Sequence, residues 1–414
     1  MRFANTLFQA LIAVAALALF AAAALAQAQP RSAAEYGPGD EVKLVAPFST
    51  PSARNRSKVV GWPAGRKPTA PPGFQVDLYA DNLEAPRWTY VLPNGDVLAA
   101  LSLDGRIVLL RDGNQDGRPE TRTDFLTGQN RPFGMLLLGG YLYVGNTDAV
   151  LKFRYQTGQT QLTVSGEKIL DLPGSGSHWT RNLIANADGS KIYVSVGSRS
   201  NVDENGSDAQ DPGRAAILEI NPDGSGMRVF ASGLRNPVGM AWEPVTKMLW
   251  TAVNERDGLG DGLVPDYITS VRQGAFYGWP YSYYGTNEDP RKKGQRPDLV
   301  AKAVVPDYAV GAHTASLGLA FYTGTQFPAK YRGGAFIGQH GSWNRSQFAG
   351  YKVALLPFKD GKPSGPLEDF LTGFIVSVSE VYGRPVGVTI MPDGSLLLAD
   401  DEGGKLWRMS YRGQ

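Results

Sequence analysis

Histidine is the side chain that most readily takes or gives a proton near neutral pH. The chain carries only three, His178, His313 and His340, among 414 residues. Arginine and amide side chains recur in similar short phrases: Gln129 and Arg131 in "GQNRPFGM", Arg235 and Asn236 in "GLRNPVGMAW", Arg345 in "GQHGSWNRS" and Arg384 in "GRPVGVTI". Guanidinium groups pair well with carboxylates. Gathered at one place, these residues would hold an anionic ligand beside a group able to move a proton. Taken singly, each is equally well read as a cap on backbone groups at a strand end.

Whether they gather depends on the elements that carry them. Six related phrases begin at Ala85, Asn130, His178, Leu234, His313 and Gly383. Each has a polar or proline-containing lead-in, a short apolar run, a tight turn and a second apolar run. The turns include Asn94-Gly95, Asp188-Gly189 and Asp393-Gly394, dipeptides that accept the positive φ of hairpins. The runs are short and rich in β-branched and aromatic residues, as strands are. Pro86 to Pro385 spans five intervals of about 60 residues each, enough for a four-stranded blade with long loops. The expected fold is therefore an all-β, six-bladed β-propeller, with an excursion between repeats four and five. A β-sandwich pair is the alternative that the sixfold count disfavours. "FQVDLYA" precedes the first repeat and is expected to complete the last blade, closing the ring without an unpaired seam.

In such a ring the lead-in of each first strand and the end of each second strand meet at one mouth. That rule brings the three histidines together with Gln129, Asn130, Arg131, Arg181, Arg199, Arg235, Asn236, the run Asn254 to Asp257, Asn344, Arg345, Arg384, Asp400 and Asp401. A second candidate is "DGNQDG", where Asp112, Asn114 and Asp116 have calcium-loop spacing. Thr123 stands at the twelfth loop position, where a bidentate acid is usual, with Glu120 and Asp124 as possible substitutes. The loop is either a structural calcium site or a solvated turn.

Composition narrows the function classes. The net charge of +2 and the absence of long like-charge runs offer no footing for nucleic acid. Without cysteine there are no disulfides or thiolate metal sites. HExxH, P-loop and GxSxG motifs are missing. Residues 1–26 read as a signal peptide, with Arg2, an apolar run and the small residues of "ALA". An uncleaved anchor is the alternative. The expected protein is periplasmic or secreted, with no stable membrane insertion after cleavage. Residues 27–72 read as a linker or N-terminal arm, and 73–412 as the propeller.

The phrases "GWPAG", "APRWTYVLPNGDVL", "GQNRPFGM", "GLRNPVGMAW", "GAFYGWP", "GQHGSWNRS" and "GRPVGVTIMPDGSLLLADD" together resemble the pyrroloquinoline quinone (PQQ)-dependent soluble sugar dehydrogenases, and within them the sorbosone dehydrogenase-like branch. The resemblance spans about residues 61 to 411. It implies PQQ and Ca2+ as cofactors, an aldose, sorbosone-like aldehyde or polyol as substrate, and a quinone or cytochrome as electron acceptor. It makes His178 the general base and Arg235 the stabiliser of charge on the cofactor. Gln129, Arg131, Asn236, His313, His340, Arg345 and Arg384 become cofactor contacts, and the backbone of Glu255 and Arg256 a calcium-binding loop. The sequence departs from the glucose-oxidising members at Ser177, where they carry aspartate. His313 stands in place of a threonine, and "QHGSWNRS" lacks their lysine, leaving His340 or Arg345 to replace it. Two other classes compete: a calcium-dependent propeller lactonase, which the arginine- and histidine-rich mouth argues against, and a non-catalytic sugar-binding propeller.

Overall fold

The computed structural model describes residues 36–413, apart from 205, 207, 209, 210 and 212. The expected signal segment, residues 1–26, lies outside the described residues.

Six antiparallel sheets form a ring. Blade 1 runs outward through Pro86–Val91, Val97–Leu101, Arg106–Arg111 and Thr121–Leu126. Blades 2 and 3 follow the same path from Met135–Leu138 to Glu167–Asp171 and from Leu183–Ala185 to Arg228–Ser232. Blade 4 begins at Pro237–Trp242, and blade 5 at Ala320–Phe321. Blade 6 comprises Pro385–Ile390, Leu396–Asp400 and Lys405–Tyr411, with Phe74–Ala80 as its outer strand. The chain's first propeller strand thus pairs with its last, Phe74 opposite Tyr411, and blade 6 meets blade 1 across the seam. The molecule is a six-bladed β-propeller closed by its N-terminal strand.

The second strands are almost entirely buried, and wholly so at Val97–Leu101 and Leu249–Val253. They are covered on both faces by neighbouring blades, so they read as continuous apolar runs rather than alternating ones. The first strands crowd the axis, and repeat-equivalent glycines allow it. A Cβ on Gly239 would stand 2.7 Å from the Leu317 carbonyl oxygen, and one on Gly387 2.8 Å from that of Arg87. The seam between blades 5 and 6 is filled by aromatic rings, with Phe74 edge-on to Phe327 at 4.7 Å and to Phe370 at 5.0 Å.

Two segments leave the ring. Residues 271–307 form the excursion of blade 4, with a two-stranded ribbon and the short helix Pro297–Val300. Residues 36–72 are an arm laid over the propeller. Tyr36–Pro38 adds a fifth strand to blade 4. Phe48 and Pro51 bond to the backbone of Leu259 and Asp261. Trp62 then anchors the arm on blade 6, packed against Phe374, Tyr382 and Trp407 and donating to Asp400 Oδ2 at 2.7 Å. No helix among the described residues is long and apolar enough to cross a membrane.

Candidate active site

Proline opens the first strands of blades 1, 4 and 6, at Pro86, Pro237 and Pro385. It lacks an N–H and so suits the first residue of a strand. The residues around it face one end of the ring: Arg87, Arg235, Asn236 and Arg384 all line a cavity of about 680 Å³. The ends of second strands bring Glu255, Asp257 and His340 to the same cavity, and the lead-ins of blades 3 and 5 bring His178 and His313. All three histidines of the chain therefore share one chamber.

The arginines are fixed before any ligand arrives. Arg235 donates to the Glu255 carbonyl at 2.7 Å, to the Asn201 carbonyl at 3.1 Å and to Asn201 Oδ1 at 3.0 Å, and pairs with Asp257 at 3.3 Å. Arg384 donates to the carbonyls of His340 at 3.0 Å and Gly341 at 2.7 Å and pairs with Glu402. Arg87 pairs with Asp401 at 2.5 Å, and its guanidinium lies over the Trp179 ring. Cations held this rigidly lose little freedom on binding an anion.

The histidines differ in tautomer. His178 Nδ1 lies 2.8 Å from the Ser198 carbonyl. A carbonyl only accepts, so Nδ1 carries the hydrogen and Nε2 keeps a lone pair. Burial, reinforced by Arg235, lowers the His178 pKa to about 3, so it is a neutral base. His340 Nε2 sits 3.0 Å from both Asp401 oxygens. Burial and Arg384 nonetheless lower its pKa to about 4. His340 and Arg87 in turn hold the Asp401 carboxyl well below the usual range, against the effect of burial. His313 Nε2 donates to the Gly260 carbonyl at 3.0 Å, and Nδ1 accepts from Asn344. Burial opposes its charged form, but Asp257 raises its pKa on balance.

Two buried oxygens in the cavity residues have no hydrogen-bond partner: Glu255 Oε1 and Asn236 Oδ1. Burial pushes the Glu255 carboxyl up to about 7, although Arg235 opposes it. Unmatched buried oxygens are costly and are the donor type a hard cation takes.

Other expected residues are not gathered here. Gln129 accepts from Asn146 and lies outside the cavity lining. Arg131 is exposed and reaches the site only through Trp179, 5.7 Å from the ring centre. Arg345 donates to the Ala312 carbonyl from behind the wall. The Arg256 side chain turns away into a buried pair with Asp289, and the Glu255 carbonyl on the same loop is taken by Arg235. The Asp112 loop joins the third and fourth strands of blade 1 at the end of the ring opposite the mouth. Its carboxylates bond backbone amides: Asp112 takes those of Asp116 and Gly117, and Glu120 those of Gly113 and Asn114. Among the described residues, the one cluster of ionisable side chains close enough to share a metal is His340, Asp401 and Glu402. Asp400 is a structural group, bonded to both Trp62 and Trp407.

Sequence reasoning missed Arg87 and Arg54. Arg87 directly follows the lead-in proline of repeat one, whereas Arg384 directly precedes that of repeat six, so adjacency to this proline on either side is the signal that finds it. Arg54 comes from the arm, which has no repeat, so no pattern marks it.

The TrAA12-like family model matches residues 68–265 and 269–412. The chain is 29% identical over 198 residues to the aldose sugar dehydrogenase YliI of Escherichia coli, covering 47% of this chain and 46% of that one. In fold it is similar to the calcium structure of the Trichoderma reesei enzyme of carbohydrate-active family AA12, with a TM-score of 0.73, 20% identity, and coverage of 86% of this chain and 99% of that chain. It is also similar to the holo PQQ domain of Coprinopsis cinerea pyranose dehydrogenase, with a TM-score of 0.71, 22% identity, and coverage of 85% and 99%.

Proposed function

We infer an activity from the premise that the chain belongs to the TrAA12-like family. The reading best supported is a PQQ-dependent sugar dehydrogenase. One observation carries it: a single cavity combines fixed arginines, a neutral histidine with a free lone pair, and two unmatched buried oxygens. PQQ is a flat tricarboxylate, and the residues fit it. Arg87, Arg235 and Arg384 would hold its carboxylates and oxygens, while Glu255 and Asn236 would hold calcium. When bound, the quinone supplies the acceptor for a hydride, polarised by the calcium ion.

The chain's own part is proton transfer and positioning. His178 Nε2 accepts the proton of the sugar hydroxyl as its C–H bond breaks. Ser198 keeps that ring in the required tautomer and orientation. Arg235, braced by Asn201 and Asp257, stabilises negative charge developing at the site. The substrate is proposed to be an aldose, a sorbosone-like aldehyde or another polyol, with a quinone or cytochrome as acceptor.

The test is reconstitution. Protein stripped with chelator is titrated with PQQ, with and without calcium, following quinone absorbance, then assayed on a sugar and aldehyde panel with an artificial dye. Stoichiometric, calcium-dependent binding followed by dye reduction is expected. His178→Ala should bind PQQ as the parent does and lose at least ~10²-fold in turnover; unchanged turnover would sink the assigned role. The unmatched oxygens also favour a second reading, a calcium-dependent lactonase. Lactone hydrolysis by PQQ-free, calcium-loaded protein would select it.

A further inference from the structure

An exposed apolar patch lies against the mouth. The link from blade 5 to blade 6 folds into a small hairpin, with Ile375 bridged to Val381 and Val376 N bonded to the Glu380 carbonyl. Its tip presents Val378, 77% exposed, beside Ile375 and Val376. The arm joins this tip to the cavity. Asn55 donates its backbone N–H to Trp343, and its side chain to the carbonyls of Ser346 and Val378. Trp343 is itself exposed and lines the cavity, and Val60 adds a further exposed apolar side chain. An apolar patch continuous with a reaction chamber marks an interaction surface rather than scattered apolar exposure.

Charge identifies the kind of partner. The chain as a whole is nearly neutral, but residues 52–67 carry Arg54, Arg56, Lys58, Arg66 and Lys67 and no acidic residue. Arg54, Arg56, Lys58 and Arg66 are exposed along the patch. The nearest hairpin acid, Glu380, is already paired with Lys58. We propose that the Val378 hairpin and the basic arm beside it form the docking surface for a small electron-carrier protein whose redox edge is ringed by acidic residues. This rests on the sugar-oxidation reading. Converting a sugar alcohol to its carbonyl removes two electrons and two protons. Two molecules of an oxidised one-electron haem carrier, docking in turn, would take one electron each, while the protons pass to water. Redox encounters of this kind are weak and transient, and their attraction is screened by salt.

Binding is measured by surface plasmon resonance on the protein without added cofactor, using an acidic monohaem c-type cytochrome as probe and a basic cytochrome c as control. The acidic probe is expected to bind at low salt and to weaken at least about tenfold at high salt. Val378→Asp and Lys58→Glu should each weaken it about tenfold, while leaving dye-coupled sugar oxidation within about twofold of the parent. Equal binding of the basic probe, indifference to salt, or no effect of either variant would overturn the proposal. Capture of anionic lipid vesicles in place of the haem protein would reassign the surface and overturn it as well. Because binding is read without turnover, a failure of sugar oxidation in the dye assay is a separate result.

Discussion

At the scale of the residue, the site is governed by burial acting against charge. His178 and His340 have folded pKa values of about 3 and about 4, below the ordinary 6.5. As the pH falls below 6.5, the unfolded chain takes up protons at these positions and the folded chain does not. Stability therefore falls with pH through that window, by up to ~1.4 kcal/mol per pH unit for each group. His313, whose pKa is raised, works the other way and at higher pH: its contribution grows as the pH falls towards 6.5 and is constant below it. The depressed Asp401 adds stability that is lost only at lower pH still. Urea unfolding at pH 7.5 and pH 5 should show the loss, and His340→Asn should shrink it. A second residue-scale prediction separates the two calcium candidates. Glu255→Ala should abolish calcium binding in equilibrium dialysis, whereas Asp112→Ala, whose carboxylate serves backbone amides, should leave it intact.

At the scale of the element, two kinds of glycine do different work. Gly95 lies in a hairpin turn with φ 90° and open space around its Cα, so only backbone strain opposes a side chain there. Gly239 lies in the first strand of blade 4, with no room for a Cβ against the Leu317 carbonyl. Gly239→Ala should cost ~1–3 kcal/mol through overpacking, and Gly95→Ala about 1 kcal/mol through strain. Thermal unfolding of the two variants should rank them in that order. The turn glycines are legible from "NG" and "DG" in the sequence. The reason for Gly239 is not, because the atoms it would meet come from the next blade.

At the scale of the whole molecule, stability depends on closing the ring. Phe74 joins the N-terminal strand to the blade 5 aromatics. Phe74 is half-buried, so Phe74→Ala should cost about 3 kcal/mol, the low end for a phenylalanine, and lower the urea midpoint without altering the slope. A changed slope would mean that the seam opens in the folded state. The arm is held at both ends of its path, by the strand pairing of Tyr36–Pro38 and by Trp62. It is thus a wall of the mouth as well as the carrier of the basic residues beside it.

The sequence by itself determined the blade count, the closing strand and the end of the ring where histidine and arginine collect. Each follows from a local period repeated six times, and a repeat places equivalent residues at equivalent heights around one axis. Only the tertiary structure decided which of those residues share the cavity. Neighbours in sequence such as Glu255 and Arg256 point to opposite sides of a strand end, so one lines the chamber and the other is buried behind it. The same is true of the arm: its path across the mouth is set by contacts with residues 212 to 338 positions away, and no local pattern encodes them.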